Sequence, residues 1–463
     1  MNPPVTTTAL RPGIFTRFTH AWYSQGAAIG YFFSRRFRPA GAGLIIVIVL
    51  TAGLGFGHRK DPVYQIFSLA VGMAVIALPW AFIRRAKIQA KRELPLYATA
   101  GETIRYTVRV TNTGSWHLRR AWLTETPPDP RPGLQEFFLR REPGEDDRNA
   151  FDRKFAFYRW RWLIDGRRAF DGGDSSEMLD LDPGKTTRVE ASITPARRGV
   201  IRLDDLRILL PDPFGLVQNC RKVAAPPSTL TVLPKRHPLP TFEMPGGSRF
   251  QAGDESATNA IGNTGEFVGL RDYRPGDALR QIHWKSWART GRPIVKELED
   301  TYYPRYGLVL DTFLTGANEA FFEDAVSVAA SFVALIDRGD SLLDLMFIKD
   351  QAHMVTAGRG LARMEKLLEV LAGVEGEHDP QFAQLAQLIL RHREALTSCV
   401  VVLAGWDEER AAFLSTLARG GMACVPIIIG DGEKPPATPG YWLRSGTIGP
   451  DLLKLPRKLD AHH

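Results

Sequence analysis

The chain has 463 residues, of which 44% are hydrophobic and 24% charged, a globular composition long enough for two or three domains. Its net charge is +8, but residues 1–93 hold twelve Lys/Arg against Asp61 and Glu93, so the other 370 residues carry a net of −2. A basic excess confined to one end is not the footprint of a nucleic-acid-binding domain. Three cysteines (Cys220, Cys399 and Cys424) without a CxxC indicate neither a disulfide framework nor a zinc site; Cys399 and Cys424 lie in apolar runs and read as core.

Residues 1–39 are rich in Arg and aromatics, as in "RFTHAWYSQGAAIGYFFSRRFRP". They form either a segment lying on the cytoplasmic face of a membrane or a disordered leader. "AGAGLIIVIVLTAGLGFG" (Ala40–Gly57) carries no charge over 18 residues, and "VYQIFSLAVGMAVIALPWAFI" (Val63–Ile83) none over 21. Each is expected to span a hydrocarbon core ~30 Å thick, with His58–Pro62 as a tight hairpin. Arg35, Arg36 and Arg38 precede the pair, and Arg84, Arg85, Lys87, Lys91 and Arg92 follow it; only Arg59 and Lys60 lie between. The positive-inside rule then places both termini in the cytoplasm. The first apolar run starts too late, and a second follows too closely, for a cleaved signal peptide.

Residues 94–235 read as an all-β, immunoglobulin-like sandwich. "GETIRYTVRVTNTG" alternates Ile104, Tyr106, Val108 and Val110 with Arg105, Thr107, Arg109 and Thr111 before turning at Asn112–Gly114. A charged insert includes "FAFYRWRWLIDGRRAF", in which Asp165–Gly166 predicts a two-residue hairpin. That hairpin either lies at a sheet edge or touches lipid headgroups through Trp160 and Trp162. Residues 236–264 are a Pro/Gly/Ser-rich linker. From 301 to 432, strands alternate with helices: "YGLVLD", a helix Glu319–Arg338, a strand pair turning at Lys349–Gln351, helices Leu361–Val374 and Pro380–Leu396, "SCVVVLAG", a helix Asp407–Arg419, and "GMACVPIIIG". This pattern predicts an α/β doubly wound sheet. The Pro-rich tail, 433–463, is expected to be loosely ordered.

Between linker and α/β domain lies "GEFVGLRDYRPGDALRQIHWKSWARTGRPIVKELED" (Gly265–Asp300). Asp277 is placed to cap a helix "ALRQIHWKSWART" that Gly291 ends. Arg271, Arg280 and Arg289 face Glu266, Asp272, Asp277 and Glu297 as partners for buried ion pairs, with Tyr273, Trp284 and Trp287 packed around them. His283 with Asp277 or Glu266 is the one acid–base arrangement. No nucleophile signature stands beside it, and the chain has no HExxH, GxSxG or Walker loop. The stretch reads as an architectural scaffold that other proteins bind.

Glu266, Phe267, Arg271, Tyr273, Gly276, Asp277, Arg280, Ile282, Trp284, Lys285, Ala288 and Arg289 resemble the signature of the bacterial domain-of-unknown-function family number 58. The upstream "RRGVIRLDDLRILLPDPFGLV", with Asp212–Pro213–Phe214–Gly215–Leu216, is similar to that family's other marker. The resemblance runs from the apolar pair to about residue 430; His283 stands where the family often has Asp. It implies a von Willebrand factor type A-like C-terminal half, a MoxR-type AAA+ ATPase as partner and a place in the bacterial inner membrane. Type A domains often hold a divalent cation through DxSxS and residues of other loops. In "LDTFLTG" Asp311 and Thr315 match the first and last positions, Phe313 replaces the middle serine, and Asp407 stands near a later strand end. A degenerate Mg²⁺ site at Asp311, Thr315 and Asp407 follows, with the Phe313 ring offered to a partner at the same edge. The expected function is non-enzymatic, membrane-anchored partner binding in assembly or remodelling. A metal-dependent hydrolase at that sheet edge is the alternative.

Overall fold

The computed structural model describes residues 12–54, 62–83, 86–240, 244–245, 266–299, 305–314, 319–336, 342–349, 351–357 and 361–460. The chain divides into two units, Met1–Lys235 and Arg236–His463.

Helices α1 (Ile14–Arg36), α2 (Pro39–Leu54) and α3 (Pro62–Ile83) open the first unit. At 1.5 Å per residue, α3 is about 33 Å long, enough to cross a membrane. The shorter α2, with 16 residues, reaches about 24 Å within the described part of the chain. Most of the expected turn, His58–Asp61, lies outside the described residues.

A β domain follows: β1 (Ile88–Glu93), β2 (Tyr97–Thr99), β3 (Ile104–Asn112) and β4 (Leu118–Glu125), then a helical insert, then β5 (Phe170–Ser175), β6 (Leu179–Leu181), β7 (Thr186–Pro195), β8 (Gly199–Leu203), β9 (Leu206–Pro211), β10 (Gln218–Lys222) and β11 (Ser228–Leu233). One antiparallel sheet runs β1-β3-β7-β5-β4-β9-β10, with β6 on β4; a smaller sheet runs β2-β11-β8. The alternation in β3 works as read: Tyr106, Val108 and Val110 are buried, while Arg105 and Arg109 are exposed. The core also encloses the Arg92–Glu125 pair at 2.8 Å, with both side chains fully buried.

The insert corrects the hairpin reading. Instead of strands it forms α4 (Leu134–Leu139), α5 (Ala150–Phe155) and α6 (Phe157–Arg167), and Asp165–Gly166 lies within α6. Ala156, Trp160 and Leu163 recur at helical spacing and bury against Phe137, with Tyr23 and Ala27 of α1 packed on them. Tertiary burial of an amphipathic face, the main source of helix stability, outweighs a local turn preference here. The same contacts order α1, so that Ile14–Arg36 is a packed helix rather than a disordered segment: Tyr23 Oη donates to the Phe155 carbonyl (3.1 Å) and Arg131 Nη1 to the Ser24 carbonyl (3.2 Å).

The Asp212–Val217 loop meets the helices. The buried Asp212 carboxylate accepts the N–H groups of Phe214 (3.0 Å), Leu216 (2.7 Å) and Val217 (2.9 Å), which fixes the turn. Leu216 and Val217 then pack against Ala77, with Leu44 and Met73 alongside, and the Leu216 carbonyl accepts the Arg38 N–H (3.0 Å). A Cβ at Gly41 would lie 2.0 Å from the Leu216 oxygen, so only glycine permits this approach.

In the second unit, β12 (Glu266–Asp272), α7 (Trp284–Thr290) and β13 (Ile294–Glu299) precede β14 (Arg305–Leu310), α8 (Glu319–Ile336), β15 (Leu342–Lys349), β16 (Gln351–Ala357), α9 (Leu361–Ala372), α10 (Phe382–Arg391), β17 (Ser398–Ala404), α11 (Glu408–Arg419), β18 (Cys424–Gly430), β19 (Tyr441–Arg444) and α12 (Ile448–Leu452). The mixed sheet has the order β16-β15-β14-β17-β18-β19; its neighbours are parallel except the antiparallel β15–β16 pair. Val309, Met346, Val401 and Ile428 face α10 and α11 in one core. The alternate strand residues, such as Leu308 and Val402, are equally buried on the other side, where α8 packs. Burial on both faces explains the unbroken apolar strands. Cys399 and Cys424 are core residues on paired strands, with sulfurs 3.2 Å apart. The tail departs from expectation: β19 extends the sheet in parallel, and α12 buries Ile448 and Leu452.

Candidate functional site

The signature stretch folds as a small module on a two-stranded hairpin. β12 and β13 pair antiparallel, with a register shift between Phe267 and Gly269. Tyr273–Asp277 then turns, and Gly276 supplies a left-handed φ of 110°. Asp277 does not cap a helix. Its carboxylate takes a bidentate grip from Arg271, at 2.7 Å to each oxygen, and the Arg274 N–H at 2.8 Å. Arg271 first, then that N–H, hold the Asp277 carboxyl down at about 2. A single 3-10 turn, Leu279–Gln281, stands where the helix was expected to begin; α7 starts at Trp284 and ends at Gly291, as Gly at that position allows.

Among the described side chains, the module buries Gln281, Ile282 and Val295. Most of its signature side chains face outward. Phe267, Arg280, Trp284, Lys285, Ala288 and Arg289 are exposed, while Arg271, Tyr273 and Asp277 are partly covered. Glu266 opens β12. The expected buried pair at Arg280 is corrected: Arg280 forms no ion pair among the described residues. The short linking turns place it at the surface, and Arg271 takes the carboxylate instead. Trp284 and Trp287 stack with ring centroids 5.3 Å apart, and Trp284 keeps 64% of its surface exposed. Phe267, Leu270 and Leu279 are exposed as well, and among the described side chains the module's exposed cations Arg274, Arg280, Lys285, Arg289, Arg292 and Lys296 outnumber its exposed acids Asp272 and Glu297. Exposed aromatic and basic side chains on one small module suit an acidic protein surface with apolar anchors. His283 Nδ1 meets Ser286 Oγ at 2.7 Å, a contact within one helical turn; no carboxylate bonds to His283 among the described residues.

The carboxyl edge of the mixed sheet brings Asp311 and Asp407 together, but around an arginine. Arg410, fully buried, donates from Nε to Asp311 Oδ2 (2.7 Å), from Nη2 to the Phe313 carbonyl (3.0 Å), and from Nη1 to Asp407. The remaining Asp311 acceptor sites take the Phe313 and Ala404 N–H groups at 3.0 and 3.1 Å. Burial pushes the Asp311 carboxyl up, opposed by the charge of Arg410. Asp407 also caps α11 through the Arg410 N–H (2.9 Å). The expected Mg²⁺ ligands therefore do not fit a divalent ion: the chain supplies its own cation, and the Asp311 oxygens are committed. Thr315 lies outside the described residues. Phe313 likewise does not face a partner; it is fully buried, edge-on to Phe382 at 4.6 Å.

Sequence reasoning passed over Arg410. It sits on the apolar stripe of α11 with Phe413, Leu414 and Leu417, all buried. An arginine in phase with three apolar residues was the available signal.

The family model described as "Protein of unknown function DUF58" matches residues 269–427. The curated "Uncharacterized protein YeaD" of Bacillus subtilis (strain 168) is 24% identical over 156 residues, which is 34% of this chain and 38% of that protein. The chain thus spans well under two thirds of that relative. Crystal and solution NMR structures of the CARDB domain of the PF1109 protein from Pyrococcus furiosus match at 11% and 12% identity. They cover 32% of this chain and 89% and 97% of theirs, and both have a TM-score of 0.17, too low to carry an argument.

Proposed function

With residues 269–427 belonging to the DUF58 family, we propose that this is a non-enzymatic partner-binding protein of the bacterial inner membrane, and that its signature module receives a MoxR-type AAA+ ATPase. One observation carries the reading: Phe267, Arg280, Trp284, Lys285 and Arg289, which resemble the family signature, are exposed on the module and hold no core together. Side chains that serve packing are buried; exposed aromatics and cations suit recognition.

The second unit is read as von Willebrand factor type A-like, supported by the reversal of strand order between β14 and β17 and the antiparallel edge strand. The first is read as an immunoglobulin-like sandwich, supported by its two sheets around one core. Both apolar helices are read as spans with cytoplasmic termini, supported by the Arg/Lys residues outside the pair. A C-terminal reporter active only in the periplasm should stay silent, and activity would reverse the topology. For the partner, the full-length protein is cross-linked in native membranes and purified. An AAA+ ATPase should accompany the wild type and be lost from a Trp284→Ala, Lys285→Glu variant of normal abundance. Equal recovery with both proteins removes the module from the reading.

A further inference from the structure

We infer that α1 lies in the headgroup layer of an anionic bilayer, with its free face as a second membrane contact beside the spans; this rests on the membrane anchoring proposed above. The face opposite the insert is apolar along most of the helix, interrupted by exposed Gln25. Ile14, Phe18, Trp22, Ile29 and Phe33 fall on one stripe of about 100°, and all are exposed, Trp22 by 68%. Thr19, Tyr23 and Ala27 occupy the packed side. A free apolar face of this kind has two ordinary occupants, a protein or a lipid surface, and three observations select lipid.

The first is charge. α1 contains no acidic residue, and none precedes Asp61, whereas Arg17 and Arg35 lie along one border of the stripe and Arg36 ends it. A helix with aromatic and basic faces and no acid fits an anionic lipid surface. The second is continuity. α2 begins at Pro39, three residues after α1 ends, and its Ile46, Val49 and Leu50 are as exposed as the α1 stripe. A span thus rises from the end of α1, which ties that end to membrane level. The third is extension of the same chemistry onto α5, where Phe151 is exposed and Lys154 Nζ lies 5.2 Å from the Phe15 ring centre.

The test uses full-length protein carrying Cys220→Ser, reconstituted in phosphatidylcholine vesicles with and without phosphatidylglycerol. A nitroxide is placed by Trp22→Cys or Ile29→Cys, by Val75→Cys on α3, or by Trp116→Cys on the β domain. Collisions with oxygen, which concentrates in lipid, are compared with collisions with an aqueous nickel complex. Val75 should read deep and Trp116 aqueous. Trp22 and Ile29 should read at the interface, and shift toward the aqueous value when phosphatidylglycerol is omitted. Should Trp22 and Ile29 match Trp116 while Val75 reads deep, the inference fails and the anchor stands. Shielding of both positions from both agents means that protein covers the stripe, which also overturns it. An aqueous Val75 removes the anchor itself.

Discussion

Two arginine–aspartate grips in the second unit use the same groups to opposite ends. Arg410–Asp311 has no exposed side-chain surface on either partner, while Arg271–Asp277 leaves 28% and 7%. The buried grip ties the end of β14, the end of β17 and the start of α11 into one joint. Such a pair fixes geometry because losing either partner strands a charge in the core. The outer grip closes one turn in reach of water, where an ion pair adds little to stability. Its effect is to present the module's aromatic and basic surface in one shape. Identical chemistry thus serves as a core fastener in one place and as a clamp on one surface turn in the other.

The comparison breaks most sharply at Asp311. Asp311→Ala should destabilise the protein by about 3–5 kcal/mol, because the partly exposed Asp407 is then the one carboxylate left to the buried Arg410 among the described residues. Chemical denaturation of the full chain measures this; an unchanged midpoint would sink the fastener role. Trp284→Ala should act in the reverse sense, weakening partner capture by about thirtyfold, about 2 kcal/mol, if the ring is an interface anchor, with thermal unfolding unmoved. A variant that melts early would show that the ring belongs to a core. Arg271→Ala should weaken capture less than Trp284→Ala and leave the unfolding midpoint near wild type; a large loss of stability would erase the contrast between the grips.

The smallest effect is in pH. The Asp277 carboxyl is held at about 2, below its ordinary 3.8, chiefly by Arg271. A depressed carboxyl stabilises the turn above pH 3.8 and loses that contribution as pH falls from 3.8 toward 2. A carboxyl NMR titration of Asp277 should therefore show its midpoint in acid, and a midpoint at 3.8 would deny the grip.

Much of this architecture was legible because burial leaves a period. β3 alternates in twos, and the strands of the mixed sheet are apolar throughout because both faces are covered. What escaped depends on contacts between distant residues. Asp165–Gly166 carries a turn signal, yet Trp160 and Leu163 bury against Phe137 and make the segment helical. Asp311 and Asp407 meet at the sheet edge, but the cation between them is a side chain 99 residues from Asp311. The signature module was legible as a unit and not in orientation: its spacing does not distinguish an arginine that grips, Arg271, from one that faces water, Arg280.

The meeting of Gly41 and Leu216 is backbone against backbone, with no side chain that can rotate to take up a displacement. Apolar helices answer a change in bilayer thickness by tilting. A tilt of α2 therefore bears directly on the Asp212–Val217 loop, whose three N–H bonds to Asp212 keep it from yielding, and through it on β9 and β10. The helix pair and the β domain are geared together, so that a tilt of α2 is felt in the strands on either side of this loop.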